Sequence, residues 1–219
     1  MTKIACLTQR PLQTIILMYL IGKHNFNFDV IIYAPLKKNS FNKRNEGSAS
    51  IDALEYQCKT LNIPLIKIKS FNSAKMIKKI KEHNIDAALA LIADTILSEK
   101  ILNYFKKGVY LTHGGMLPNY RGVDANKWAL AKGKKVSGIT LLKLSKGVDT
   151  GEIVFSKKIR NQNKTLNEID KELYYKYKIY LYKEIFLCLK LNKKIKLKKQ
   201  KKNYPQYFQM SKRISNLLN

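Results

Sequence analysis

The chain has 219 residues, 45% of them hydrophobic, which suits one domain with a sizeable buried core. No apolar run approaches the ~20 residues of a membrane span, and no secretory signal begins the sequence, so we expect a cytoplasmic protein without a membrane span. The three cysteines share no metal-ligand or redox spacing, so we predict free thiols and no metal site, while the net charge of +27 leaves a nucleic-acid partner open.

Strands and helices alternate along the first half of the chain. Apolar runs predict strands at residues 3–8, 28–34, 64–68, 86–92 and 108–112. Helices are predicted between them, at residues 12–22, 50–61, 73–83 and 98–106. This alternation predicts an α/β fold, with a Rossmann-like, mostly parallel twisted sheet and helices on both faces. Ligands of such sheets bind beyond the carboxyl ends of the strands.

The turn after the first strand is a candidate anion site. Gln9 and Arg10 follow the strand, and Pro11 opens the next helix. Proline is favourable at a first helical position, and the free amides of a helix start attract anions, to which Arg10 would add positive charge. An exposed turn arginine beside an ordinary helix start fits the same residues equally well.

The stretch from Gly108 to Asp149 carries the clearest chemistry. An apolar strand hands His113 to the loop GGMLPNYRG, and after a short helix the strand SGITLLKL leads to Asp149. Strand ends that bring a His and an Asp to one edge of a sheet can form a proton-transfer pair. His24 and His83 end helices, where an imidazole is usually structural or solvated. Asp149, in Asp-Thr-Gly, also suits a simple tight turn.

These motifs resemble one known family. HGGMLPNYRG, WALAKG, SGITLLKL and GVDTGEIV are similar, in this order, to the signature of the formyltransferases that use 10-formyltetrahydrofolate. That family includes glycinamide ribonucleotide transformylase, methionyl-tRNA formyltransferase and sugar-nucleotide N-formyltransferases. The similarity extends over roughly residues 3–159. It implies the formyltransferase fold and transfer of a formyl group from 10-formyltetrahydrofolate to a primary amine.

The resemblance also assigns roles to individual residues. His113 stands at the family's catalytic histidine, and Asp149 stands at the aspartate that orients it. Segments 93–97 and 144–148 resemble the backbone that contacts the folate. The candidate cofactor-binding residues are therefore Thr95, Ile96, Leu97, Leu144, Lys146 and Val148. The candidate substrate-binding residues are Gln9, Arg10, Gly115, Arg121 and Trp128.

One position departs from the family pattern. The family's third catalytic residue is an asparagine two residues before the histidine, and its amide stabilises the oxyanion, but this chain has Leu111 there. Leucine donates no hydrogen bond, and the loss of one oxyanion donor typically costs on the order of 100- to 1,000-fold in rate. Asn119 and Asn126 are amides that could replace it. A catalytically impaired folate- or nucleic-acid-binding protein on the same fold is therefore the second hypothesis.

The end of the chain bears on the acceptor. A strand at 152–159 and a long helix at 165–191 precede a lysine-rich stretch, so we predict a catalytic domain at 1–191 and a basic tail at 192–219. The apolar stripe of the helix fits core packing or a homodimer contact. We expect no separate β-barrel domain of the methionyl-tRNA formyltransferase kind, and Trp128 resembles the sugar-acting members. The expected acceptor is a nucleotide-linked amino-deoxysugar; methionyl-tRNA held by the basic tail, or another amine, is the alternative.

Overall fold

The computed structural model describes residues 1–36, 48–161, 164–201 and 204–211. Within them the chain forms two compact units. The first unit comprises Met1–Tyr110 and Tyr182–Lys194, and the second comprises Leu111–Leu181 and the described part of Ile195–Asn219. The domain boundary expected at residue 191 stays a prediction.

Parallel strands form the sheet of the first unit, in the order β3-β2-β1-β4-β5. They are β1 (Ile4–Thr8), β2 (Val30–Tyr33), β3 (Leu65–Lys67), β4 (Ala87–Leu91) and β5 (Gly108–His113). Every residue of β1 and β4 is buried, and the two pair with Ala5 opposite Ala88. A parallel strand is covered on both faces, so its sequence is a continuous apolar run rather than an alternating one. Strand β5 leaves the first unit after Tyr110 and ends in the second.

Four helices connect these strands. They are α1 (Pro11–Gly22), α2 (Ser48–Thr60), α3 (Ala74–Glu82) and α4 (Glu99–Leu102). Ser73 caps α3, because its hydroxyl oxygen accepts from the Met76 amide at 3.2 Å. The helix predicted at 98–106 is shorter than expected. After Leu102 the amides of Tyr104 and Phe105 bond to carbonyls three residues back, which tightens the chain into turns before β5.

The second unit contains a hairpin and the described part of the tail. Its elements are β6 (Arg121–Gly122), α5 (Ala125–Ala131), β7 (Val136–Lys143), β8 (Glu152–Arg160), α6 (Leu166–Lys171) and β9 (Gln206–Tyr207). Strands β7 and β8 pair antiparallel, with a bulge at Leu141/Leu142. The tail runs along this unit: Lys198 exchanges two backbone hydrogen bonds with Ile153, of 2.8 and 2.9 Å, and β9 pairs with β6.

The long helix predicted at 165–191 is interrupted. It begins at Thr165, which forms a reciprocal capping box with Glu168, and continues as α6. A π-helical segment, Glu172–Lys178, follows before α7 (Ile179–Lys190). The wider π-helical turn changes the phase of the helix, which the apolar spacing of the sequence did not reveal.

The strands and helices confirm the α/β fold with its mostly parallel sheet. Within the described ranges, no helix has the length and apolar character needed to cross a membrane. The three cysteines are free thiols, as predicted, and Cys6 and Cys58 are buried. Burial raises the pKa of Cys58 to about 11 and raises that of Cys6 further, so neither forms the reactive thiolate near neutral pH.

Tyr182 ties α7 to the sheet of the first unit. Its ring is buried, and its hydroxyl donates to the carbonyl oxygen of Ala90 at 2.6 Å. We expect Tyr182→Phe to lower the free energy of unfolding by about 1 kcal/mol, because a buried acceptor loses its donor. The matched control is Tyr56→Phe, which removes a hydroxyl from an exposed ring on α2. Equal urea midpoints for the two variants would contradict this role for the Tyr182 hydroxyl.

Candidate active site

His113 and Asp149 meet in the second unit. The imidazole Nδ1 lies 3.2 Å from Oδ2 of Asp149, and the two side chains are only 7% and 12% exposed. On the other side of the ring, Nε2 lies 2.6 Å from the carbonyl oxygen of Tyr120. Both partners accept hydrogen bonds, so the ring satisfies both contacts at once only when each nitrogen carries a proton. The ring therefore lies between two acceptors, one beside each nitrogen.

The carboxylate of Asp149 is held by the backbone as well. Its Oδ2 accepts from the Gly122 amide at 2.9 Å. Asp149 itself has a φ of 51°, in the left-handed region, which aspartate adopts more readily than most residues other than glycine. The Gly122 amide and this turn conformation together place the acid beside His113.

Two glycines make room for this arrangement. A Cβ on Gly115 would lie 2.8 Å from Nε2 of His113 and 2.5 Å from Cβ of Ala125. A Cβ on Gly122, whose φ is +92°, would lie 2.2 Å from the carbonyl oxygen of Tyr207. Gly115, predicted to bind substrate, therefore has a steric task beside the histidine, and Gly122 lets β9 approach β6.

Arg121 and Trp128, two of the predicted substrate-binding residues, contact the tail. Arg121 is 6% exposed, and its guanidinium donates to Oε1 of Gln200 and to the carbonyl oxygen of Lys201. The indole of Trp128 donates to the carbonyl oxygen of Phe208 at 2.7 Å. Their substrate-binding roles stay predictions.

Gln9 and Arg10 lie in the first unit, after β1. The buried Gln9 amide donates to Oδ1 of Asp94 at 2.7 Å and to the carbonyl oxygen of Pro35, and its oxygen accepts from the Ala93 amide at 3.0 Å. Gln9 thus fixes the backbone that leads into the predicted folate segment. The Arg10 amide donates to the hydroxyl oxygen of Thr8 at 2.8 Å. A substrate role for both residues stays a prediction.

The predicted folate-binding residues fall into two segments, one in each unit. In the first unit Thr95 is half-buried, Ile96 is 63% exposed and Leu97 is buried. In the second unit Leu144 and Val148 are half-buried and Lys146 is exposed. Leu144 and Val148 thus present apolar surface on the loop that ends at Asp149.

The side-chain amide of Asn126 is engaged by the backbone of Gly138, and its role as a replacement for the family's asparagine stays a prediction. Its Nδ2 donates to the carbonyl oxygen of Gly138, and its Oδ1 accepts from the amide of the same residue, both at 3.1 Å. Leu111 itself lies on β5 two residues before His113, so the two side chains share a face of the strand. The face that would carry an amide therefore carries an apolar side chain.

A lysine-rich cleft of about 1250 Å³ opens in the second unit. Its cationic lining residues are Lys132, Lys134, Lys135, Lys158, Lys196, Lys198, Lys199 and Lys201. Its aromatic lining residues are Tyr120, Phe155, Tyr204 and Tyr207. No carboxylate is among the described residues that line it. Tyr120 belongs both to this lysine cleft and to the His113 site, because its carbonyl oxygen contacts Nε2.

The sequence did not point to three groups at this site. They are the Tyr120 carbonyl, the Gly122 amide and the side chain of Gln200, whose amide nitrogen donates to the carbonyl oxygen of Asp149 at 2.8 Å. Two of them are backbone groups, which residues of almost any type supply. Gln200 stands inside a run of lysines, where nothing in the pattern marks it.

Comparison with known proteins shows the family to which the chain belongs. The model of the formyl transferase family matches residues 3–181. A methionyl-tRNA formyltransferase of Prochlorococcus marinus (strain MIT 9215) is 30% identical over 183 residues, 83% of this chain and 55% of that protein. The chain covers 37%, 55% and 41% of the lengths of three such curated relatives.

Solved structures share the fold. Phosphoribosylglycinamide formyltransferase of Streptococcus pneumoniae TIGR4 superposes with a TM-score of 0.64 at 17% identity, covering 86% of this chain and 99% of its own. An N-formyltransferase of Helicobacter canadensis, solved with folinic acid and dTDP-3-aminofucose, gives 0.66 at 23% identity, covering 94% of this chain and 71% of its own. The fold is that of a formyltransferase. The chain belongs to the formyl transferase family, as the motifs predicted.

Gly122 allows a matched test of the tail contact. We expect Gly122→Ala to lower the free energy of unfolding by roughly 2 kcal/mol more than Gly133→Ala, because only the first adds a clash to backbone strain. Gly133 has a φ of +63° and open space around its Cα. The measurement is urea unfolding, with limited trypsin digestion to follow cleavage in the tail. Equal losses and equal cleavage would show that β9 does not depend on Gly122.

Proposed function

We propose that this protein transfers a formyl group from 10-formyltetrahydrofolate to the primary amine of a nucleotide-linked amino-deoxysugar. Family membership supports formyl transfer. The observation that carries the proposal is the buried contact between His113 and Asp149, 3.2 Å long. An acid and a base held together, away from water, are what an acyl transfer between two nitrogens needs.

The chemistry assigns each member of the pair a task. A bond forms between the acceptor nitrogen and the formyl carbon, and the bond from that carbon to the folate nitrogen breaks. The acceptor amine loses a proton and the folate nitrogen gains one. Asp149 is the base of the pair and His113 is the acid. Asp149 takes the proton from the amine, and His113 gives a proton to the folate nitrogen. Transfer of one proton from Asp149 to His113 then restores the pair for the next cycle.

His113 also stabilises the negative charge that develops on the formyl oxygen. When Nε2 is released from the carbonyl oxygen of Tyr120, its N–H becomes available to that oxygen. Asp149 stabilises the positive ring while this happens. Substrate therefore takes the place of the Tyr120 carbonyl as the partner of His113.

10-Formyltetrahydrofolate would supply the formyl group. In the second unit, the residues we propose to hold it are Leu144, Lys146 and Val148, on the loop that ends at Asp149. Two half-buried apolar side chains beside an exposed lysine suit a flat, partly polar ring system. Thr95, Ile96 and Leu97 in the first unit stay predictions for the same ligand.

The lysine cleft supports an acceptor that carries phosphate. Its lining is cationic and aromatic, and the cleft is somewhat larger than the ~300–1,000 Å³ of common small-molecule sites. Phosphates would contact lysines, and a nucleobase could stack on an aromatic ring. The Helicobacter N-formyltransferase, whose structure holds a nucleotide-linked aminosugar, supports the same choice.

A turnover assay with a panel of acceptors tests the proposal. The panel holds nucleotide-linked amino-deoxysugars, glycinamide ribonucleotide and methionyl-tRNA, each with 10-formyltetrahydrofolate; folate release is followed by absorbance and the product by mass. We expect formylation of an amino-deoxysugar nucleotide. Formylation of methionyl-tRNA alone would contradict the proposed acceptor. Silence across the panel with folate still bound would favour the impaired binding protein.

Charge reversal in the lysine cleft separates acceptor binding from folate binding. We expect Lys134→Glu combined with Lys158→Glu to raise the KM for the nucleotide-linked acceptor about tenfold or more, because phosphate loses charge-assisted contacts. The KM for the folate should not change. Lys59→Glu combined with Lys69→Glu, at two exposed lysines of the first unit outside the cleft, is the control for the net charge. Unchanged acceptor KM in the double variant would place the acceptor elsewhere.

Restoring the family's amide tests the cost of Leu111. We expect Leu111→Asn to raise kcat by at least tenfold, because a side-chain donor returns to the strand face that carries His113. Leu12→Asn, which adds an amide at an exposed position of α1, is the control. Steady-state kinetics with the best acceptor of the panel are the measurement. A kcat equal to or below that of the wild type would mean that other groups already stabilise the oxyanion.

A further inference from the structure

The side chain of Gln200 spans the backbone on both sides of the catalytic acid. Its Nε2 lies 2.8 Å from the carbonyl oxygen of Asp149 and 2.6 Å from that of Gly151. A primary amide nitrogen carries two hydrogens, so it can donate one to each carbonyl. One side chain from the tail thus fixes the turn that presents Asp149.

The other end of Gln200 is fixed by Arg121. Oε1 accepts from Nε and Nη2 of the guanidinium at 3.3 and 3.1 Å, and Nη2 also donates to the carbonyl oxygen of Lys201 at 3.0 Å. The residue after Arg121 is Gly122, whose amide donates to Oδ2 of Asp149. Hydrogen bonds therefore close a ring through Asp149, Gly122, Arg121 and Gln200. We call this ring the Gln200 clamp.

The Gln200 clamp stabilises the turn that contains Asp149. Asp149 has a φ of 51°, and its neighbour Gly147 has a φ of 108°, so the turn contains conformations that relax when unsupported. The contact between Asp149 and Nδ1 of His113 is 3.2 Å, and a shift of about 1 Å would remove it as a hydrogen bond. The donors that oppose such a shift come from Gly122 and Gln200.

We propose that Gln200 is a positioning residue for formyl transfer, which acts by holding the carboxylate of Asp149 within hydrogen-bond distance of Nδ1 of His113. This role in catalysis rests on the proposed function. The effect of Gln200 on the contact between His113 and Asp149 in the ligand-free protein does not depend on the proposed function. The lysine-rich tail thereby contributes more than positive charge, because the uncharged amide of Gln200 donates to the backbone carbonyls of Asp149 and Gly151.

The variant Gln200→Glu isolates the donor. A carboxylate keeps the shape of the side chain and still accepts from Arg121, but it cannot donate to the two carbonyls and repels them. Gln206→Glu is the matched control, since it makes the same change in the same tail at an exposed side chain of β9. Gln200→Ala, which loses the donors without adding a charge, is the second variant. Thermal unfolding identifies any variant that fails to fold.

The first readout needs no substrate. In protein labelled with ¹⁵N-histidine, the ring N–H signals of His113 are those that disappear in His113→Ala. We expect the Nδ1–H signal of His113 in the wild type and in Gln206→Glu, and its loss through exchange with water in Gln200→Glu and Gln200→Ala. Retention of that signal in both Gln200 variants would overturn the proposal.

The second readout is kinetic. We expect Gln200→Glu and Gln200→Ala to lower kcat about 100-fold, the cost of misplacing a catalytic group by about 1 Å, with the folate KM within twofold of the wild type. A kcat close to that of the wild type would overturn the proposal, as would a change confined to KM. Should the wild type itself formylate no acceptor, the proposed function fails, and the His113 signal alone decides whether Gln200 orders the contact between His113 and Asp149.

Discussion

The buried contact between His113 and Asp149 imposes the main constraint on the second unit. Polar side chains that leave water lose their hydration, and this loss is recovered only when their polar atoms find partners within the protein. Around His113 and Asp149 those partners are the Tyr120 carbonyl and the Gly122 amide. The close approach of Gly115 to the ring and of Gly122 to Tyr207 follows from the need to bring these backbone atoms near.

The same constraint explains why the tail matters. Backbone hydrogen bonds join Lys198 to Ile153 and β9 to β6, and the Trp128 indole and the Asp124 carboxylate bind the tail at Phe208 and Met210. A segment whose composition suggests a solvated cationic chain is thereby fixed against the residues that carry the site. Lys196, Lys198, Lys199 and Lys201 of the tail line the lysine cleft, and the amide of Gln200 donates to the carbonyl oxygen of Asp149.

Much of the fold could be predicted from local pattern. The apolar runs of β1 and β4, and the proline that opens α1, have physical causes that lie within a few residues of sequence. His113 and Asp149 could be paired because their motifs resemble a family in order and spacing. The π-helical segment from Glu172 to Lys178 could not be predicted, because apolar spacing in an α-helix looks the same there. Nor could Gln200, whose bond to Asp149 joins residues 51 positions apart and ends on a carbonyl that any residue would supply.

The measurement that tests the account most directly is single-turnover formyl transfer by the wild type and by Asp149→Asn, with enzyme in excess over 10-formyltetrahydrofolate and saturating acceptor. An asparagine keeps the size of the side chain but cannot take a proton or hold a positive ring. The account predicts a rate of transfer at least 100-fold lower in the variant, with folate affinity unchanged, as expected when a general acid–base group is lost. Equal rates of transfer would contradict it, because the buried pair would then have no part in the chemistry.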